Sequence, residues 1–221
     1  MHGLRSKQPM YLNRLGRILI QQERLLEARQ ALEESYSLAL ADPPGLNPGS
    51  PLAQLGEVAL FECRLEDARQ LFDEARACLS PKDAIFLAIT YTDLAEIALI
   101  QLDYAHAKNW LHQAAPFVDV HIRRLLAYLC TAAGALLQAP DSTHTSACSA
   151  ASLMGATQAL SERSGIAQGA YHLQALAVRG EAVRRRLGDV VYREAVEAGR
   201  LMRKAEALEL VEKFYATDEH S

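Results

Sequence analysis

Apolar residues along this chain recur at helical spacing, break off at short polar turns, and then begin again in the same order. Leu15, Leu19 and Leu32 form one such set, Leu55 and Phe72 a second, and Leu94, Ala98 and Leu111 a third. Their i, i+3, i+4 spacing predicts helix faces buried against neighbours. The stretch from Arg24 to Leu32 (RLLEARQAL) returns as Arg64 to Phe72 (RLEDARQLF), with Ala68 standing 40 positions beyond Ala28. Leu15-Gly16 returns as Leu55-Gly56 with the same displacement. A third copy follows in Leu94-Ala95, Tyr104, Ala107, Leu111 and Ala114, Ala107 lying 39 beyond Ala68.

Each copy divides into two helices joined by a polar turn. First helices are predicted over residues 10–22, 51–62 and 84–101, and second helices over 25–40, 65–79 and 104–115. Proline and glycine punctuate the joints: ADPPGLNPGSP after the first pair, Ser80-Pro81 after the second and Pro116 after the third. Gly16, Gly56 and Ala95 on first helices, with Ala28, Ala68 and Ala107 on second helices, mark where paired axes must approach, because larger side chains would hold them apart. A single pair cannot cover its own apolar faces, so pairs must stack. No segment sustains the period-two alternation of a strand. Beyond residue 120 the chain stays helical, over 121–137 and 146–163, with a loop at 138–144. The expected architecture is all-α, with three helix pairs over residues 1–118 and a continuing helical repeat with capping helices over 119–221.

These residues resemble the tetratricopeptide repeat, whose pattern has Leu-Gly in the first helix and Ala, a large residue and Ala in the second. Three units match, over about residues 10–117. The period exceeds the family's usual ~34 residues, and the terminal proline is missing from its regular place. The second half narrows the resemblance. Ala150 to Arg163 (AASLMGATQALSER), then Tyr171, Leu187-Gly188-Asp189, Tyr192, Ala195, Glu197-Ala198-Gly199-Arg200 and Glu206-Ala207-Leu208 follow an order similar to the carboxy-terminal repeat region of bacterial signal-transducing NTPases. That group includes LuxR-type and antibiotic-regulator-type transcription activators. The resemblance implies an α-solenoid that receives a signal or holds a protein partner for transcription regulation. The alternative it leaves open is a sensor whose groove takes a small-molecule inducer or a peptide.

In such a solenoid the first helices line the groove. Its expected exposed positions are Asn13, Arg17, Ile20 and Gln21 in the first unit, Glu57, Leu60 and Phe61 in the second, and Glu96, Leu99 and Ile100 in the third. The set lacks the Lys and Asn combination that clamps a terminal carboxylate in some members of the repeat family. Leu60, Phe61, Leu99 and Ile100 are equally consistent with packing inside a tight superhelix.

Composition removes several function classes. The 221 residues carry a net charge of -4, which gives no overall attraction to nucleic acid or an anionic membrane. No stretch of about 18 apolar residues predicts a membrane span, and the first residues lack a signal-peptide core, so a cytoplasmic protein is expected. Cys63, Cys78, Cys130 and Cys148 form no C-x-x-C pair, and are expected to be buried thiols rather than metal ligands or disulfides. No G-x-x-x-x-G-K-[ST] motif or Gly-Lys pair is present, so no P-loop cradles a phosphate, and no helix-turn-helix is recognisable at either end.

Two clusters invite chemistry. Arg179, Arg184, Arg185, Arg186, Arg193, Arg200, Arg203 and Lys204 make residues 175–204 locally basic, but no aromatic platform accompanies them, and i, i+4 pairs such as Glu181 with Arg185 predict a solvated face. Asp141, Ser142 and His144 suggest a triad, yet sequence neighbours rarely reach that geometry, and a Ser or Thr N-cap accounts for the loop. The expectation is a chain without catalytic residues, cofactor or metal.

Overall fold

The computed structural model describes residues 7–41, 46–139, 142–166 and 168–216. Among these residues 87% are helical and none is in a strand. The helices are α1 (Gln8–Gln21), α2 (Leu25–Ala41), α3 (Gly49–Phe61), α4 (Leu65–Cys78), α5 (Ala84–Ile100), α6 (Tyr104–Ala114), α7 (Ile122–Gln138), α8 (His144–Ser164), α9 (Ala170–Leu187), α10 (Asp189–Leu201) and α11 (Lys204–Ala216). Short 3₁₀ turns stand at Pro81–Asp83 and Ala115–Val120. The chain forms two compact units, one up to Ile97 and one from Ala98 onward.

The turns inside the first three pairs share one backbone geometry. Glu23, Cys63 and Leu102 have φ of 60°, 59° and 60°, and are the only non-glycine residues with positive φ among the described residues. In each turn the next residue's N–H reaches back five positions to close the preceding helix: Arg24 to Leu19 at 2.9 Å, Arg64 to Ala59 at 2.9 Å and Asp103 to Ala98 at 2.8 Å. This bond satisfies a carbonyl that a helix end otherwise leaves without a partner. The same residues then start the second helices, since their carbonyls accept from the N–H groups of Ala28, Ala68 and Ala107.

A side chain in this left-handed region costs roughly 1–2 kcal/mol. Leu102 bears that cost while 78% exposed, so it recovers little by burial. Leu102→Gly is expected to stabilise the protein by about 0.5–1 kcal/mol, after glycine's own entropic penalty. A urea melt showing no gain would remove strain from that turn.

In the first unit, α1 pairs with α2 and α3 with α4, and α2 also packs on α3. A Cβ on Gly16 would meet Leu32 Cδ2 at 2.5 Å, and one on Gly56 would meet Phe72 Cε1 at 2.6 Å. Ala28 and Ala68 are fully buried, while the side chains that meet Gly16 and Gly56 are those of Leu32 and Phe72, four residues further along each second helix. Leu19, Ile20, Ala28, Ala31, Leu32, Leu55 and Val58 form one core cluster that passes from the first pair into the second. Arg29 and Glu62 add an ion pair between α2 and the end of α3. Leu15 departs from expectation. It is 45% exposed where its repeat equivalent Leu55 is 7%, because Leu55 lies in the cluster with residues of α2 while Leu15 lies on the outer face of α1.

In the second unit, Gly155 on α8 and Gly199 on α10 bring the two backbones together. A Cβ on Gly155 would stand 2.1 Å from Val196 O, and one on Gly199 would stand 1.9 Å from Ser152 O. Ser152 Oγ donates to Ala195 O at 3.0 Å across the same seam. Between α9 and α10, Gly188 has φ 78° and ψ 161°, a conformation essentially closed to other residues. Arg163 Nη2 donates to the carbonyls of Arg200 and Met202, at 2.9 and 3.1 Å, and so caps the end of α10.

The cysteines are only partly as expected. Cys130 is buried and Cys148 half-buried, but Cys63 and Cys78 are exposed. The reason is local: Cys63 occupies the positive-φ turn and Cys78 the last residue of α4. The expected loop residues 42–45, and Pro140 and Asp141, lie outside the described residues.

Candidate functional site

The expected groove positions divide by burial. Asn13, Ile20, Glu57, Leu60, Glu96 and Leu99 are buried, Arg17 and Phe61 are half-buried, and Gln21 and Ile100 are exposed. The six buried positions therefore differ from the expected open surface. In α3 every residue from Gly49 to Leu60 is buried, so this helix has no face left for solvent. Phe61 packs against the first unit's core cluster.

The buried positions still carry polar chemistry. Gln54 Nε2 donates to Asn13 Oδ1 at 2.6 Å, joining α1 to α3 inside the first unit. Gln54 Oε1 is buried and has no hydrogen-bond partner, as do the hydroxyls of Thr90 and Thr92. Glu57, Asp93 and Glu96 are all at most 5% exposed. First helices of this unit thus hold carboxylates at depth, where burial of charge is costly unless it is matched.

In the second unit, Arg124 on α7 and His172 and Arg179 on α9 come together. Arg179 lies along α7 because Gly134 has no side chain: a Cβ there would be 2.6 Å from Arg179 Nε. Its Nη1 donates to Cys130 O at 3.2 Å. Burial, with the charges of Arg124 and Arg179 adding to its effect, lowers the His172 imidazole from its ordinary value to about 3. Arg124 at the start of an apolar helical run is the one local mark of this cluster, and its partners on α9 are brought there only by tertiary packing.

A histidine whose folded pKa lies below its unfolded value takes up a proton on unfolding. Its contribution to stability is complete above about pH 6.5 and is lost as pH falls toward 3. The decline between pH 6.5 and 5 is expected to flatten in His172→Gln, which lacks the group that takes up this proton on unfolding. Equal slopes for both proteins in chemical melts across that range would contradict the assignment.

The basic stretch is largely accounted for by internal partners. Arg185 pairs with Glu181 at 3.2 Å, Arg200 with Glu162 at 2.7 Å and Arg203 with Glu206 at 2.8 Å. Arg184 pairs with Asp189, and Lys204 with Asp119. Arg186 Nη1 donates to Ser142 Oγ at 2.9 Å. The predicted Glu181–Arg185 pair is present, and the neighbouring arginines are spent within the second unit. Thr143 caps α8 by accepting from the Ser146 N–H at 3.2 Å, while Ser142 Oγ donates to Leu136 O at 3.0 Å. Both hydroxyls serve the backbone.

A cleft of about 310 Å³ opens in the second unit, at the small end of volumes that hold small ligands. Met154, Leu176 and Gly180 form its apolar wall, and Gln158, Gln168 and Tyr192 its polar edge. Gln168 Oε1 is buried there without a hydrogen-bond partner. Sequence reading missed this cleft, whose walls come from α8, α9 and α10. Among the described residues no group of three or more His, Cys, Asp and Glu is placed to hold a metal ion, and no helix is long and apolar enough to cross a membrane.

No protein-family model, curated protein or solved structure matches the chain.

Proposed function

We propose that this chain is a tetratricopeptide-type α-solenoid module that holds a protein partner and does no catalysis, as the signal-sensing region of a bacterial transcription regulator. The observation that carries the reading is the threefold turn at Glu23, Cys63 and Leu102, with its repeated five-residue hydrogen bonds and the Gly16–Leu32 and Gly56–Phe72 contacts. Units repeated in backbone as well as sequence are the means by which quasi-one-dimensional proteins build extended binding surfaces. The regulator assignment rests on the resemblance of residues 150–208 alone. Of the groove positions, Arg17, Gln21 and Phe61 in the first unit keep accessible surface, with Gln21 and Phe61 at equivalent places on successive first helices.

The test is purification of the tagged chain from the cells that make it. A single polypeptide is expected to co-purify in stoichiometric amount with the wild type and with Arg69→Glu on the outer face. Arg17→Glu/Gln21→Glu is expected to weaken the complex at least about tenfold, with helicity unchanged. Absence of any stoichiometric polypeptide, or equal binding by the groove variant, would contradict the proposal.

A second reading is favoured by the cleft beside Gln168. A small inducer there would satisfy the buried Gln168 carbonyl and cover the Met154 and Leu176 side chains. Native mass spectrometry separates the two readings, since a bound small molecule adds mass without a second polypeptide.

A further inference from the structure

In the second unit one side-chain oxygen is buried without a hydrogen-bond partner among the described residues, Gln168 Oε1. Its place follows from the end of α8. Gly165 has φ 65°, the Ile166 N–H returns to Ser161 O at 3.2 Å, and Ser161 Oγ donates to Ile166 O at 2.6 Å. The chain is thus turned and pinned two residues ahead of Gln168, which lines the cleft between α8, α9 and α10. An unmatched buried amide oxygen is destabilising, and a ligand that donates to it removes that cost. From the other side, Leu173, Leu176, Ala177, Gly180, Glu181 and Arg184 line the cleft at i, i+3, i+4, i+7, i+8 and i+11, one continuous face of α9. In the middle of that face a Cβ on Gly180 would stand 3.0 Å from the Tyr192 hydroxyl and 4.0 Å from Met154 Sδ. The phenol of α10 and the thioether of α8 therefore close on the backbone of α9 itself, with Gln158 one turn beyond Met154.

We infer that this cleft takes an uncharged carboxamide or lactam carried on an apolar body, an inference that rests on the small-molecule reading above and not on the protein partner. The charged groups at the rim are already matched within the protein, Glu181 by Arg185 at 3.2 Å and Arg184 by Asp189, which leaves neither a cationic nor an anionic ligand a free counter-charge. A carboxylate or a ketone would bring no donor to Gln168 Oε1. A hydroxyl puts its donor and its acceptor on one atom. A carboxamide sets an N–H beside a C=O, as the glutamine side chain does, and pairs with it at both positions whichever way that side chain is turned. The apolar body would cover Met154 and Leu176, and the volume of about 310 Å³ accommodates one ring with its amide.

Benzamide is the probe, since it joins that group to a single apolar ring. Titrated into the isotope-labelled full chain, it is expected to shift the NMR signals of the Gln168 side-chain amide and of the Gly180 and Tyr192 backbone amides. It is expected to bind at least about tenfold more tightly than benzoate, acetophenone or benzyl alcohol. Gln168→Leu removes both halves of the amide pair and keeps apolar bulk, so it is expected to abolish that preference without lowering the melting temperature of the free protein. A lower melting temperature would give the glutamine a structural role and overturn the inference. Ala177→Leu, at an exposed position of the wall, fills the cleft and is expected to weaken benzamide by about tenfold or more with helicity unchanged; undiminished binding there would place benzamide elsewhere and overturn the inference. Binding of none of these compounds would remove the small-molecule reading and the inference with it. Equal binding by benzoate, acetophenone or benzyl alcohol at the same signals would keep that reading and overturn the carboxamide class, as would a benzamide preference that survives Gln168→Leu.

Discussion

Gly199→Ala is expected to cost about 3 kcal/mol or more, since among the glycines within the described helices its added Cβ would make the shortest approach to backbone. The new Cβ would stand 1.9 Å from Ser152 O and 2.6 Å from its carbonyl carbon. These are backbone atoms inside α8, so neither can turn aside as a side-chain tip does, and the two helices must separate along the seam. Gly155→Ala strikes the reciprocal contact, 2.1 Å from Val196 O. Once one substitution has parted the helices the second meets less resistance, so the double variant should lose less than the sum of the two. Gly180→Ala is the control. Its Cβ would come 3.0 Å from the Tyr192 hydroxyl, beside an open cleft, and should cost no more than about 1 kcal/mol. Urea melts in which Gly199→Ala matches this control would show that α8 and α10 are not in backbone contact.

Ala68→Leu is expected to cost about 1–3 kcal/mol. Ala68 is fully buried, and Phe72 one turn later already fills the space at Gly56, so three added heavy atoms must shift a helix. Arg69, the next residue, is exposed, so Arg69→Leu should change stability by no more than about 0.5 kcal/mol. The contrast is diagnostic of helix rotation. Equal losses in urea would place the close-contact face of α4 elsewhere.

Much of the fold was legible because spacing and residue size report local geometry directly. The repeated Leu-Gly positions located the close approaches at Gly16 and Gly56, the repeated Ala positions located buried residues of the second helices, and the Thr143 cap followed from hydroxyls placed just ahead of an apolar run. The turns were less legible. Glu23, Cys63 and Leu102 share a backbone conformation that glycine or asparagine would advertise, and three such different residues advertise nothing. Leu15 was misplaced for another reason: periodicity identifies a face, and only the neighbouring element decides whether that face is covered. The same limit applied to the groove. Glu57 and Leu60 belong to a helix buried along nearly its whole length, a property of α3's position between neighbours rather than of its own pattern. His172 and the cleft at Gln168 arise where α9 meets α7 and α8, a tertiary coincidence with no short-range signature.

If three helix pairs are copies of one unit, their internal turns share one geometry, and solution NMR of those turns tests this most directly. The prediction is a positive φ at Glu23, Cys63 and Leu102 alike, with the N–H groups of Arg24, Arg64 and Asp103 protected from solvent exchange as strongly as mid-helix amides. A negative φ at any of the three, or free exchange of the amide that follows it, would contradict a threefold repeat and the partner-holding function drawn from it.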